Sequence, residues 1–146
     1  MMRIAIIGRT EILYETAVYL RELGHEISLI ITAKEAQEYT KISADFQALA
    51  EEWDIPFFHT PRIGETVEAI RGMPSIDIGV SLNYSGVIPQ SMIDLFPLGI
   101  LNAHGGDLPR YRGNACQAWA IIDGAGKVAW AQVAIYMTRE ETRRGD

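Results

Sequence analysis

Apolar residues in this chain come in short unbroken runs closed by glycine or polar residues, and between the runs they recur at helical spacing. Arg3 to Ile7 (RIAII), closed by Gly8, predicts a strand buried on both faces. Leu13, Ala17, Val18 and Leu20 then fall near helical spacing. Thr10 is placed to cap that helix, and Gly24, one residue past Leu23, to end it. Glu26 to Thr32 (EISLIIT) predicts the second strand. A strand, a helix and a strand in that order, with both strands apolar on both faces, imply a parallel sheet and a right-handed crossover.

The pattern continues. Residues 33–40 are polar and without period, with Tyr39 and Lys41 assigned to an ordered loop. Ser43 to Trp53 predicts an amphipathic helix, because Phe46, Leu49, Ala50 and Trp53 share one face. Ile55 to His59 reads as a third strand, near a sheet edge because it contains Pro56. His59 is then a strand-end histidine without a role. Glu65 to Arg71 predicts a short helix ended near Gly72 and Pro74, and Ile76 to Leu82 a fourth strand. Pro89 opens a helix through Leu95 in the manner of a first-turn proline. Gly99 to Asn102 is the fifth strand, Ala115 to Ile122 a helix ended at Asp123-Gly124, and Trp130 to Met137 the last strand. Trp53, Trp119 and Trp130 fall in these patterns as core residues. No repeat, low-complexity segment or linker interrupts the chain, so residues 1–146 read as one domain. The expected architecture is α/β: a doubly wound, mainly parallel sheet of six strands with helices on both faces. Its ligand crevice would lie at the carboxyl ends of the first, fourth and fifth strands.

Composition narrows the class. At 146 residues, 48% hydrophobic and 22% charged, the chain is long enough for a real core and has the balance of a soluble globular protein. A formal net charge of -6 argues against a nucleic-acid surface, although Arg110 with Arg112 could form a local basic patch. The lone Cys116 leaves no internal disulfide and no Cys-rich zinc site, and no metal site is expected. The N-terminus lacks a signal-peptide pattern and no run is long enough to span a bilayer, so the expected location is cytoplasmic.

Candidate chemistry concentrates in residues 101–113, LNAHGGDLPRYRG. Asn102 and His104 stand two apart at the end of a strand, which puts both on one face. A neutral amide and an imidazole converging on one point suit stabilisation of an oxyanion during acyl transfer. The competing reading is that His104 packs under a loop. Asp107 either caps the turn or binds an acceptor amine. Arg110 and Arg112 either contact substrate or tie the loop down through carbonyls, and Tyr111 packs on it. The first turn, Gly8-Arg9-Thr10-Glu11, lacks the second and third glycines of a dinucleotide fingerprint, so no nicotinamide or flavin is expected there. Arg9 could meet a substrate phosphate or be a solvated loop arginine.

These residues resemble the folate-dependent formyltransferases. Asn102-x-His104 followed by Leu108-Pro109-Arg110-Tyr111-x-Gly113 looks like their signature. Gly113-Asn114-Ala115 through Trp119-Ala120-Ile121 and Asp123-Gly124 resembles the helix that follows in the tRNA and sugar enzymes, and Tyr84-Ser85-Gly86-Val87-Ile88-Pro89 is similar to their folate-pocket loop. The resemblance implies a Rossmann-like formyltransferase catalytic domain that moves a formyl group from 10-formyltetrahydrofolate to an amine of the methionyl-tRNA or amino-sugar type. Nucleic acid is a partner only if the acceptor is tRNA. Asn102 and His104 would be catalytic. Tyr84, Gly86, Val87, Ile88 and Pro89, with Leu101 and Leu108, would form the folate pocket, and Arg9, Asp107, Arg110 and Arg112 the acceptor side.

One departure matters. The family's third catalytic residue is an aspartate after the last strand, and Arg143 aligns with it. Arginine is no general base, and beside His104 it would disfavour the imidazolium. Glu140 or Glu141 could substitute only if the loop shifts. The chain also stops where family members continue, which implies an uncovered edge and hence a homodimer or instability. Three readings follow: an active or impaired formyltransferase domain, a folate- or amine-binding module without turnover, and a flavodoxin- or response-regulator-like domain. The last lacks an acidic cluster after the first strand.

Overall fold

The computed structural model describes residues 1–104, 122–124 and 132–134. Among the described residues six strands form one sheet: β1 (Arg3–Gly8), β2 (Glu26–Thr32), β3 (Phe57–His59), β4 (Ile78–Leu82), β5 (Ile100–His104) and β6 (Gln132–Ala134). Their spatial order is β3-β2-β1-β4-β5-β6. The first five are parallel, and β6 runs antiparallel to β5. Within residues 1–104 the helices are α1 (Glu11–Glu22), α2 (Ser43–Glu52), α3 (Val67–Arg71) and α4 (Gln90–Ile93), with a 3₁₀ turn at Ile63–Thr66 running into α3.

Alternation along each buried strand divides the core in two. Ile4, Ile6, Ile30 and Ile78 pack against Leu13 and Ala17 of α1 and Phe46, Leu49 and Ala50 of α2. Ala5, Ile7, Leu29, Ile31 and Ile100 face the other way, onto Ile63, Val67, Ile70, Ile88 and Met92. The sheet is therefore doubly wound, as the apolar runs predict. Each fully buried isoleucine in these layers contributes about 1.5–3 kcal/mol of transfer free energy. A bulge adjusts the pairing at the start of β2. Ile4 pairs with Ile27 but Ala5 with Leu29, so Ser28 is an extra residue.

Several boundaries shift for local reasons. Thr10 occupies the position before α1, but its hydroxyl makes no capping bond and its φ is +89°. At the other end α1 closes as predicted: Gly24 adopts φ +94°, its N–H donates to the Arg21 carbonyl, and the His25 N–H donates to the Leu20 carbonyl. β3 is the edge strand, as expected, and begins only at Phe57 because Pro56 has no N–H to offer. β4 begins at Ile78, two residues later than predicted; just before it, the Asp77 N–H donates to the Arg3 carbonyl at 2.9 Å and the Asp77 carboxylate accepts the Arg3 N–H at 2.8 Å. Pro89 is the cap before α4 rather than its first residue, with ψ 157°, and α4 is a single turn. β5 runs two residues further than expected because β6 pairs with it as far as His104. Ile122 is helical and Asp123-Gly124 turn, where the sequence places that helix's end. The other residues predicted for that helix, among them Trp119 and Cys116, and Trp130 lie outside the described residues. Among the described residues no helix is long and apolar enough to cross a membrane.

Candidate active site

The chain winds from β1 out to β2 and β3, then returns to the other side of β1 for β4 and β5. Strand order reverses between β1 and β4, and open α/β sheets bind ligands at the carboxyl ends flanking such a reversal. Three segments meet there: the Gly8-Arg9-Thr10 turn, residues 83–89 after β4, and the end of β5.

The first two are knitted together at Gly8. A Cβ built on this residue would lie 1.9 Å from the Leu82 carbonyl oxygen, and its φ is +134°. Only glycine lets β1 and β4 end this close. The Arg9 N–H then donates to that same carbonyl at 3.0 Å. The Arg9 side chain bridges three loops. Nε donates to the Asn83 carbonyl at 2.8 Å, Nη1 donates to the Lys34 carbonyl at 2.7 Å, and the guanidinium lies 5.3 Å from the Tyr39 ring centroid. Asn83 completes the circuit, its Nδ2 donating to the Tyr39 hydroxyl at 2.6 Å. Two donors of Arg9 are thus engaged by carbonyls, so the residue is a loop bracket, not the solvated arginine that a polar turn suggests. Tyr39 is in the ordered loop expected of it, and Lys41 lies 4.5 Å from the Tyr14 ring.

The loop after β4 turns its larger side chains inward. Tyr84 is buried, and its hydroxyl donates to the Thr60 carbonyl at 2.8 Å. Burial pushes its phenol above the ordinary tyrosine range. Gly86 fits against the Pro61 carbonyl, 2.7 Å from where a Cβ would sit. Ile88 is buried, Pro89 packs over Gly64, and Val87 is exposed. What this loop can offer a ligand is therefore main chain and the exposed side chains of Asn83, Ser85 and Val87, with Tyr84 and Ile88 serving as its anchors in the core.

On β5, Asn102 is half-buried and lies between Ser81 of β4 and Ala134 of β6 in register. His104, two residues on in the same unbroken strand, pairs with Gln132. Leu101 packs with the α1 and α2 layer, the face opposite Ile100, so it does not share a face with Asn102. Asp107, Leu108, Arg110, Arg112, Glu140, Glu141 and Arg143 lie outside the described residues.

Sequence reasoning passed over Asn83, Lys34 and Ser81. Asn83 and Tyr39 are 44 residues apart, and no periodicity relates them. A nearby polar chain was also illegible. The Ser43 hydroxyl donates to Glu35 at 2.8 Å, and that bond first, with the Ser43 N–H, holds the Glu35 carboxyl below the usual carboxylate range. His59 ends β3, as a strand-end histidine should; it is exposed, with Nδ1 3.2 Å from the Thr32 hydroxyl oxygen. A cavity lined by Arg3, Ser28 and Pro74 opens at the amino ends of the strands, the wrong end for the crevice of an α/β sheet.

Comparison with known proteins agrees with this arrangement. The formyl transferase family pattern matches residues 2–146. Methionyl-tRNA formyltransferase of Solibacter usitatus is 31% identical over 128 residues, covering 84% of this chain and 41% of that protein. That of Geotalea daltonii is 32% identical with the same coverage. The chain spans about two fifths of the length of these relatives. Among solved structures, glycinamide ribonucleotide transformylase 1 from Geobacillus kaustophilus superposes with a TM-score of 0.63 at 16% identity, over 92% of this chain and 82% of that one. A formyltetrahydrofolate deformylase from Pseudomonas syringae gives 0.61 at 18% identity, over 91% and 51%. With a doubly wound sheet and an Asn-x-His strand end beside its point of reversal, the chain belongs to the formyl transferase family.

Proposed function

We propose that this domain transfers a formyl group from a 10-formyltetrahydrofolate-type donor to an amine of the methionyl-tRNA or amino-sugar class. The observation that carries the reading is Asn102 and His104 on one strand at the carboxyl-end crevice of a formyl transferase sheet. In this chemistry an amine nitrogen attacks the formyl carbon and the carbonyl oxygen becomes an oxyanion. The carbon–nitrogen bond to the folate then breaks, and the leaving folate nitrogen takes a proton. Asn102 donates its amide N–H to the oxyanion, and His104 stabilises the charge as imidazolium or relays the proton. The flat, amide-like pteridine suits main chain of residues 83–89, where Tyr84 and Ile88 are turned into the core. In this reading, as the family resemblance implies, Leu108 would contribute to the apolar pocket and Asp107, Arg110 and Arg112 to acceptor binding. Arg9, already bracketing loops, serves the acceptor through its remaining donors.

A second reading is favoured by Arg143 at the family's aspartate position: a folate-binding module with impaired or absent turnover. One experiment separates the two. Calorimetric titration with 5-formyltetrahydrofolate tests the pocket in the wild type and in His104→Ala, and a formyl-transfer assay compares wild type with Arg143→Asp. Saturable binding with turnover in the wild type supports the enzyme. Binding with turnover only in Arg143→Asp supports the disarmed module. No binding at millimolar ligand removes both.

A further inference from the structure

Ser81 is 1% exposed, and its hydroxyl has no hydrogen-bond partner among the described residues. A buried hydroxyl is normally paired, and an unpaired one in a native core calls for an explanation. Its position supplies one. A Cβ on Gly79 would meet Ile100 and Ile7, which identifies the α3 and α4 face of β4. Two residues further, Ser81 takes that face, as Asn102 does two residues after Ile100. Ser81 and Asn102 are register partners on adjacent parallel strands, which stand roughly 4.8 Å apart.

The neighbours leave little choice of partner. On β1, Ser81 pairs with Ile7, which has no polar side-chain atom. Asn102 is flanked on its other side by Ala134, which has none either. Each of the two polar residues therefore has the other as its one polar lateral neighbour. Ser81 is too deeply buried to meet a ligand beneath a half-buried Asn102.

We propose that Ser81 is a positioning residue for Asn102. After a rotation of the Asn102 side chain, the Ser81 hydroxyl donates to Oδ1, which fixes the amide so that Nδ2 faces the crevice. An asparagine amide can present either its oxygen or its nitrogen, and only the nitrogen stabilises an oxyanion. The role of Asn102 rests on the proposed formyl transfer, and the pairing itself does not.

The test follows the Asn102 side-chain amide protons by NMR in wild type, Ser81→Ala and Ser81→Thr, with and without 5-formyltetrahydrofolate. Turnover is measured in whichever of wild type or Arg143→Asp is active. With the donor present, wild type and Ser81→Thr should show one slowly exchanging amide pair, and Ser81→Ala exchange at least about fivefold faster, the size of one net hydrogen bond. kcat should fall about five- to tenfold in Ser81→Ala with KM unchanged, recover in Ser81→Thr, and be insensitive to Ser81→Ala once Asn102→Ala is present. Because Ser81→Ala deletes an unpaired hydroxyl, its thermal midpoint should not fall. Identical amide exchange in all three proteins overturns the pairing. A midpoint that falls with kcat unchanged makes Ser81 a core residue only, and also overturns it. Amide exchange as expected with the folate bound, but no formyl transfer by wild type or Arg143→Asp, keeps the pairing and overturns the proposed reaction instead.

Discussion

Replacing Arg9 with methionine should loosen the carboxyl-end crevice without touching the sheet. The side chain donates to two carbonyls on separate loops, Asn83 at 2.8 Å and Lys34 at 2.7 Å, and stacks 5.3 Å from the Tyr39 ring. A hydrogen bond from a charged donor contributes about 1.5–3 kcal/mol when shielded. These two are at the surface, where water competes, and each is reduced to about 0.5–1 kcal/mol. The ring contact adds about 0.5 kcal/mol at an exposed site. Methionine keeps the length of the stem and loses all three terms, so the expected destabilisation is about 2 kcal/mol. For a domain of this size that corresponds to a fall in Tm of roughly 4–8 °C. Lysine should recover less than half, because an ammonium cannot bridge two carbonyls and stack in one geometry. The assay is urea unfolding of wild type, Arg9→Met and Arg9→Lys, with hydrogen exchange read separately for residues 34–41 and 83–89. A loss below about 0.5 kcal/mol, or full recovery by lysine, would show that Arg9 is a solvated side chain whose contacts cost as much to order as they return.

Two further substitutions probe the frame around the site. Gly8→Ala places a methyl 1.9 Å from the Leu82 carbonyl oxygen at a φ of +134°, so about 3–5 kcal/mol of stability, or folding itself, should be lost; a change under 1 kcal/mol in urea unfolding contradicts the close approach. Glu35→Gln tests the depressed carboxyl, whose stabilisation is present above the ordinary carboxylate range and disappears as pH falls through the folded-state value. The wild type should therefore lose more stability than the variant as pH falls from 7 to about 2, through both the ordinary and the depressed carboxylate ranges, and parallel losses would show that the Ser43 bonds do not favour the ionised Glu35.

Much of this protein is legible along the chain. RIAII and EISLIIT are apolar at successive positions, a pattern that suits strands covered on both faces. The burial of β1 and β2 follows. Phe46, Leu49 and Ala50 declare the inner face of α2 by spacing alone. Asn102 and His104 stand out because polar side chains that end an apolar run need a reason to be there. These are local statements, and local sequence determines them through backbone geometry and the hydrophobic effect. The tertiary structure decided the rest, because it depends on which distant residues become neighbours. Nothing near Arg9 announces that its guanidinium will meet the carbonyls of Lys34 and Asn83. Nothing near Tyr84 announces that its hydroxyl will be taken by Thr60. Ser81 shows the difference best. In sequence it is one small polar residue in an apolar strand, and only the register of β4 against β5 sets it beside Asn102. Register is fixed by packing summed over the whole sheet, and no single segment carries that information.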